Sequence, residues 1–396
     1  MALNLLRNSR VFYTTNLTSS GQVATTGFTT ANTRELQVLD GFSFSQNTGQ
    51  ETITTNEAGA APVRGQRSFN TSLEPVDWSF STYIRPKYVE NTSTAGPDSD
   101  DKVDAEESVL WNSMSSVTGN GWTQTAGVAP TTMPYSTVSF ANSNAHQLQA
   151  FGLIIVFEAV TYVIDNCAID SATIDFGLDA IAAVAWAGKG TTMRQLPTTL
   201  TISGAGSVTG GGWTGSNDFT LKDTSARYIA NKLSTMTLAA AGFGGLTATS
   251  YGNIAITGGN LTISNNLTYL TPANLGVVNT PITYFTGTRS VTANVTAYLK
   301  TGAGASAELL KDMLAASSSS TANKFAAVIS VGGATNDTRF EISMPTTQLT
   351  IPAITSEQII ATSITMTAQG SDTGAAGGAY DLEAKNEVTL KYYAAA

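Results

Sequence analysis

The densest group of residues that could do chemistry is an acidic run at residues 98–107, Asp-Ser-Asp-Asp-Lys-Val-Asp-Ala-Glu-Glu. Its Asp-x-Asp start is typical of calcium-binding loops, in which carboxylate oxygens coordinate the ion. The spacing argues against an EF-hand loop, because Val103 occupies the position that needs glycine and Val109 the position that needs glutamate. The run therefore favours a structural role, with a cation site as the alternative.

The acidic run predicts the start of a helix over residues 105–114. We expect Asp104 to be the N-cap and Glu106 and Glu107 to lie in the first turn, where carboxylates face the positive end of the helix dipole. A second helix with matching apolar positions is predicted over 305–314.

Other residue types that could do chemistry are few. A single cysteine, Cys167, excludes an internal disulfide and a cysteine-based zinc site, and a single histidine, His146, cannot build a histidine metal cage. The run 187–192 resembles a phosphate loop only in part, because Gly190 follows Lys189 where Ser or Thr is needed. The sequence predicts no catalytic, cofactor-binding or metal-binding residue, and no cofactor.

Four aspartates recur at close spacing: Asp165, Asp170, Asp175 and Asp179. Two of them could approach each other like the acid pair of a glycosidase. Solvated strand ends are the simpler interpretation, and an acid-pair hydrolase using Asp170 and Asp175 is only a third hypothesis for function.

Composition narrows the function classes. The 396 residues are 42% hydrophobic and 12% charged, with a formal net charge of −9. Such a chain offers no basic footprint to hold a phosphate backbone, which disfavours stable nucleic-acid binding. Abundant Thr, Ser and Asn with few strong helix formers predict a mainly β fold. The start of the chain does not look like a signal peptide, and no stretch reaches the roughly 18 apolar residues of a membrane helix. We expect no membrane partner.

The order of the predicted elements repeats along the chain. Alternating apolar and polar residues over 42–47 and 261–266 predict half-buried strands. Each is followed by a Gly-x-Arg-Ser element and a second strand, 76–83 in one half and 291–298 in the other. A helix and then the longest strand runs follow in both halves.

This repeat predicts two similar modules, over residues 1–197 and 222–396, joined by a Gly-rich connection at 198–221. Each module is predicted to consist of strands, one helix and further strands. One helix per module is too few to supply the crossovers of a parallel sheet. A mainly β fold with one helix per module is therefore expected.

Several segments together resemble the tail tube proteins, or major tail proteins, of tailed bacteriophages. These are Asn8-Ser-Arg-Val-Phe-Tyr-Thr-Thr15, Leu39-Asp-Gly-Phe-Ser-Phe-Ser45, Val76-Asp-Trp-Ser-Phe-Ser-Thr-Tyr83, Ile169-Asp-Ser-Ala-Thr-Ile-Asp-Phe176, Ala185-Trp-Ala-Gly188 and Phe340-Glu-Ile-Ser-Met-Pro345.

The resemblance implies β-barrel or sandwich modules with a flanking helix, polymerised into stacked rings around a channel for DNA ejection. The family's usual single module gives six subunits per ring. Two tandem modules imply a homotrimeric, pseudo-hexameric ring, and a homohexamer with one half outside the wall is the alternative. The implied place is the virion tail, assembled in the bacterial host cytoplasm. Implied partners are the tape measure protein, other tail proteins, DNA in transit and a possible sheath, and no enzymatic activity is expected.

Residue roles in such an assembly follow as expectations. Arg10, Arg67 and Arg289 stand at strand starts in a charge-poor chain, and we expect them to contact other modules or subunits. The acids of the run 98–107 are further assembly candidates: Asp98, Asp100, Asp101, Asp104, Glu106 and Glu107. The lumen candidates are Asp165, Asp170, Asp175 and Asp179, because like charge repels the phosphate backbone.

The aromatic residues separate the leading function from its alternative. Trp78 and Phe80 alternate along one strand and are predicted to lie in the core. The alternative function is a β-rich adhesion or carbohydrate-binding module pair, which would need an exposed Trp78, Trp122 or Trp213.

Overall fold

A computed structural model describes most of the chain. The described residues are 9–29, 31–39, 41–53, 67–89, 101–115, 121–127, 133–140, 148–157, 160–196, 200–203, 206–209, 212–213, 227–240, 250–315, 324–333, 336–355, 359–370 and 387–395.

The described residues form a mainly β structure with two α-helices, as expected. Up to residue 197 the elements are β1 Arg10–Thr14, β2 Phe28–Thr29, β3 Thr33–Leu36, β4 Ser43–Ser45, β5 Thr48–Ile53, β6 Arg67–Leu73, β7 Val76–Tyr83, β8 Pro86–Val89, β9 Lys102–Ala105, α1 Ser108–Ser115, β10 Trp122–Thr125, β11 Tyr135–Ser139, β12 Phe151–Val156, β13 Thr161–Asp175, β14 Ala183–Gly190 and β15 Thr192–Leu196.

The Gly-rich connection holds three short strands, and the second half begins with a 3-10 turn at Asn231–Leu233. The elements are β16 Leu200–Ser203, β17 Gly206–Thr209, β18 Gly212–Trp213, β19 Thr235–Ala240, β20 Ser250–Tyr251, β21 Ile256–Ser264, β22 Leu267–Leu270, β23 Thr283–Thr286, β24 Ser290–Tyr298, α2 Ser306–Ala315, β25 Phe325–Gly332, β26 Arg339–Leu349, β27 Ala353–Thr355, β28 Ala361–Ala368 and β29 Thr389–Tyr393.

Strand pairing in the first half has two branches that meet at β13. One branch pairs β3, β1, β12, β13 and β15 in that order. The other pairs β4, β7, β14 and β13. The first part of the 15-residue strand β13 pairs with β12 and β15, and the part from Ala168 onward pairs with β14. The strand contains two bulges, one between Ile164 and Cys167 and one between Ile169 and Ser171, and each bends it and shifts its inside-outside alternation by one residue.

The second half has the same order of pairings around β26. One branch is β20, β19, β25, β26 and β29. The other is β21, β24, β28 and then the end of β26 together with β27. A hairpin, β5–β6 in the first half and β22–β23 in the second, connects the first two strands of this second branch.

The two halves share one sheet and one hydrophobic core. Strand β13 pairs with β21 from Ser171 opposite Ser264 to Asp175 opposite Asn260, and β11 pairs with β29. The second branches thereby join into one antiparallel series of eight strands, β4, β7, β14, β13, β21, β24, β28 and β26–β27. We call this series the eight-stranded sheet.

Alternation of residue types explains why these segments form half-buried strands. In β7 the side chains of Val76, Trp78 and Phe80 are buried, whereas Asp77 faces solvent. Strand β24 likewise buries its alternate apolar residues. The prediction that Trp78 and Phe80 belong to the core is confirmed.

Helix α1 begins at Ser108, three residues later than predicted. The expected N-cap, Asp104, lies on β9, which pairs with β8 and so gives the backbone at 102–105 a sheet partner instead of a helical one. The carbonyl of Glu107 accepts from the amides of Leu110 and Trp111 at 3.0 and 3.1 Å. Glu106 and Glu107 therefore precede the first turn, which contains no acidic residue.

The close packing around Gly188 in the sheet can be tested by substitution. A Cβ atom at Gly188 would overlap the carbonyl oxygen of Ala168 and the Trp78 ring, whereas at Gly252 the nearest atoms, in Thr237, lie 3.9 Å away. We expect Gly188→Ala to destabilise the folded chain by about 1–3 kcal/mol, because overpacking forces a backbone shift. Gly252→Ala is the matched control. Urea unfolding checks this, and equal midpoints for the two variants would contradict the packing described.

Candidate functional site

One face of the eight-stranded sheet packs on the core, and the other, which we call the polar face, is lined by small polar side chains. The cross-strand registers place the following side chains on the polar face: Ser43, Ser45, Asp77, Ser79, Ser81, Tyr83, Ser171, Thr173, Asp175, Ala183, Ala185, Ala187, Lys189, Asn260, Thr262, Ser264, Ser290, Thr292, Asn294, Thr296, Tyr298, Gln348, Ala353, Thr355, Ala361, Ser363, Thr365 and Thr367. All of them are exposed or half-buried.

Cross-strand hydrogen bonds link several hydroxyl and amide groups on the polar face. Ser43 and Ser79 share a hydrogen bond of 3.0 Å. The hydroxyl of Thr365 donates to the side-chain oxygen of Asn294 at 2.9 Å. Such pairs add stability to the sheet and satisfy side chains that face water.

Charge on the polar face is almost balanced. The Lys189 ammonium donates to Asp77 across the β7–β14 pair at 2.5 Å. Asp175 accepts a hydrogen bond from the backbone amide of Gly177 at 3.1 Å. The two carboxylates and one ammonium give a net charge of −1 for the whole face.

The four predicted lumen aspartates do not lie on one surface. Asp165 is buried and accepts from the Val23 amide and the Arg194 guanidinium, each at 2.7 Å. Asp170 accepts from the Leu267 amide at 2.7 Å and so anchors the β22–β23 hairpin. The prediction that Asp165 lines a lumen is wrong, because its carboxylate is enclosed within the subunit.

Asp175 and Asp179 do face solvent. Asp175 lies on the polar face, and Asp179 is exposed in the turn before β14 with a φ of 60°. Asp165 and Asp175 stand ten residues apart, a spacing that puts side chains on one face of a regular strand. Two bulges lie between them, so the alternation shifts twice and both side chains point away from the core that contains Ile164 and Ile174. That side of β13 is covered near Asp165 by a second apolar cluster, which includes Val23, and is exposed at Asp175.

Three of the four described acids of the run 98–107 point into the subunit. Asp101, Glu106 and Glu107 are buried, and the Tyr88 hydroxyl donates to Asp101. The expectation that these three residues join subunits is therefore corrected to a role inside the fold. Asp104 pairs with Arg34 at 3.2 Å and is half-buried, and its contact with another subunit stays a prediction. Asp98 and Asp100 lie outside the described residues.

Glu107 has the most unusual environment of these acids. Both of its carboxylate oxygens are buried, and hydrogen bonding from the Tyr392 side chain and the Arg85 backbone offsets only part of that burial. Burial, which disfavours the charged form, raises the pKa of Glu107 to about 7. Burial and the neighbouring Glu107 charge also raise the pKa of Glu106, whose carboxylate accepts from the Gln37 amide.

No family model matches the chain. It is 32% identical over 388 residues to the tail tube protein pb6 of Escherichia phage T5, a match that covers 96% of this chain and 75% of the relative. The chain belongs to the tail tube protein family. The resemblance inferred from the sequence is confirmed, and a structural, non-enzymatic role in the virion tail follows at the level of the family.

The arginines expected at contacts of this tail tube protein differ in their surroundings. Arg289 donates to the Phe140 carbonyl at 3.2 Å and to Glu387 at 2.5 Å, so it connects residues from both halves. Arg10 donates to Glu35 within the first half. Arg67 is exposed on the β5–β6 hairpin. A contact of these residues with another subunit stays a prediction.

The adhesion and carbohydrate alternative loses one of its three tryptophans, because Trp78 is buried. The Trp122 ring is half-buried and packs against Tyr392 with centroids 4.9 Å apart. The side chain of Trp213, like His146, lies outside the described residues.

The described residues contain no group of three or more His, Cys, Asp or Glu side chains arranged to hold a metal ion. Neither described helix is long and apolar enough to cross a bilayer. Residue types with catalytic or metal-binding chemistry did not indicate the polar face, because most of its side chains are Ser, Thr, Asn and Ala. The sequence signal for the polar face was the set of polar residues that alternate with apolar residues along its strands.

The burial of Glu107 predicts a specific pH dependence of subunit stability. A carboxyl whose pKa is raised on folding stabilises the fold below its unfolded pKa, near 4.5, and this contribution is lost as pH rises through about 7. Glu107→Gln should therefore be more stable than wild type at pH 8, by about 3 kcal/mol at most, and should lose this advantage near pH 4.5. Urea unfolding of dilute subunits at both pH values measures the difference.

The exposed Glu51 supplies the control for this prediction. Glu51→Gln should keep the pH dependence of the wild type. If Glu107→Gln also keeps it, the Glu107 carboxyl is not the titrating group.

Proposed function

We propose that three copies of this tail tube protein close into a pseudo-hexameric ring and that the rings stack into a tube through which DNA is ejected. The observation that carries the proposal is the pairing of β13 with β21 between the two halves. This pairing serves as a template for the contact between one copy and the next.

Equivalent residues in the two halves follow from the strand registers. Tyr83 pairs with Ala183 in the first half, and Tyr298 pairs with Ala361 in the second. Counting along the paired strands from these positions makes β4 equivalent to β21 and makes β27 equivalent to the end of β13. The repeated order of pairings supports two tandem modules in one chain, each a tail-tube-like β-sandwich or barrel unit.

The equivalence predicts what lies beyond the two ends of the eight-stranded sheet. Ile174 pairs with Val184, and its equivalent Ile354 pairs with Thr362. Ile174 is fully buried because β21 lies beside it, whereas Ile354 on the end strand is 56% exposed. In the ring, β4 of the next copy takes the place of β21 and covers Ile354.

The end strands have the properties of an unfilled interface. Among the described residues, β4 pairs only with β7 and β27 only with β28. Exposed isoleucines cluster near β27 at positions 351, 354, 359 and 360. Strand edges and apolar patches of this kind are normally covered. A head-to-tail contact that closes on itself covers every such edge in the ring.

Axial stacking is assigned to the hairpins. The loop between β22 and β23 exposes Leu275, Val277, Val278 and Ile282, and the β5–β6 hairpin exposes Phe69. The two hairpins are connected, since the Leu73 amide donates to the Asn279 carbonyl at 2.7 Å. Their apolar side chains suit burial against the next ring.

In this assembly the polar face lines the channel, and the other sheet face supports it through the core. The homohexamer alternative, with one half outside the wall, does not use the equivalence of β4 and β21. The tape measure protein, other tail proteins, a sheath and assembly in the host cytoplasm stay predictions, since no described residue tests them.

The proposed strand register between neighbouring copies can be tested with charged substitutions. Equivalence places Thr355 of one copy opposite Ser43 of the next, as Asp175 lies opposite Asn260 within the chain. The double variant Ser43→Glu with Thr355→Glu should raise the protein concentration needed for assembly about fivefold or more relative to Ser43→Lys with Thr355→Glu, because like charges oppose each other directly. Light scattering and electron microscopy measure assembly. Equal thresholds for the two double variants would contradict the register.

The number of copies per ring is a separate prediction. An averaged cross-section of wild-type tubes should contain three chains and six similar wall segments. Six chains per ring would favour the homohexamer, and an absence of tubes would contradict the assembly altogether.

A further inference from the structure

We propose that the polar face passes DNA because it is nearly neutral and offers no strong phosphate contact, and that electrostatic repulsion by the channel wall is not required. This inference rests on the proposed function, in which the polar face lines the channel. It concerns how that surface acts on the moving polyanion.

The acidity of the chain is located elsewhere. The formal net charge is −9, yet the polar face carries only −1 of it. Asp77 is neutralised by Lys189 across the sheet, and Asp175 is held by the Gly177 amide. Asp101, Asp165, Glu106 and Glu107 are buried. Interior carboxylates of this kind cannot present a repulsive surface to a duplex.

The polar face also lacks the groups that hold DNA. Affinity for a duplex comes mainly from Lys and Arg contacts to phosphates, with release of counterions. Lys189 is the single cationic side chain of this face, and its ammonium is engaged by Asp77. The remaining polar groups are hydroxyls and amides, several of which bond to each other, as Thr173 does to Thr262 at 3.2 Å.

A neutral hydroxyl surface of this kind favours fast transit for a simple reason. A duplex bound at many cationic sites would have to break them at each step, and a strongly acidic wall would oppose its entry. Contacts between the duplex and hydroxyl groups are weak and exchange readily with water, so they neither hold the duplex nor oppose its entry.

The test uses virions whose tails are built from the full chain and its variants. DNA release is triggered with a detergent extract of the host envelope and followed by a DNA-binding dye at low and high salt. Asp175→Asn, which removes the last unpaired charge and keeps a side-chain acceptor, should release DNA within about twofold of the wild-type rate. A clear slowing at low salt in tails of normal length would overturn the inference in favour of repulsion.

Asn294 is a suitable position for adding a positive charge, because it is exposed at the middle of β24 on the polar face. Asn294→Lys should slow release about tenfold or more at low salt and recover at high salt, since each ring gains phosphate contacts. Asn294→Gln is the uncharged control and should behave as wild type. A wild-type rate for Asn294→Lys at low salt would overturn the inference.

Assembly is read separately by electron microscopy of tail length. If Asn294→Lys yields no tails, Ser363→Lys on the neighbouring strand carries the same test. Wild-type virions in which the chain is absent from the tail tube would refute the proposed function itself, which is a different result from an altered release rate.

Discussion

Backbone hydrogen bonding at the margins of the sheet is the constraint on which this structure depends. A strand that pairs on one side leaves a row of amide and carbonyl groups on the other. Strand β13 satisfies both of its sides by bending at a bulge, so that its two parts pair with different strands. The same bend brings the second half of the chain against the first. Within the eight-stranded sheet, the outermost strands, β4 and β27, each have a single partner among the described residues.

Charge placement is the second organising feature. Few charged side chains exist in the molecule, and several of them serve its interior. The Arg194 and Asp165 pair fixes β13 to β15, and Arg289 connects Phe140 to Glu387. Enclosed ion pairs give little net stability but are costly to break, so they favour one arrangement of strands over others. The surface left by this distribution is mostly uncharged, which suits permanent contact and passage.

The sequence allowed the mainly β fold to be predicted, because period-two patterns such as that of 76–83 are local, and the resemblance of several segments allowed the family to be predicted. The sequence did not allow the start of α1 to be placed, since the competing partner of residues 102–105 is β8, which lies outside the segment. The burial of Asp165 was missed because its part of β13 is covered by the Val23 backbone, Arg194 and a second apolar cluster, all of them distant from Asp165 in sequence. The residue types of the run 98–107 did not indicate which of its carboxylates are buried, and Glu107 is one that is buried.

The pairing of β13 with β21 has a consequence for assembly. Both strands belong to one polypeptide, so this junction forms at an effective concentration set by the connecting chain and does not depend on dilution. In the proposed ring every second junction is of this kind. The translational entropy lost on closing the ring is that of bringing three bodies together instead of six, which favours complete rings when few copies are present.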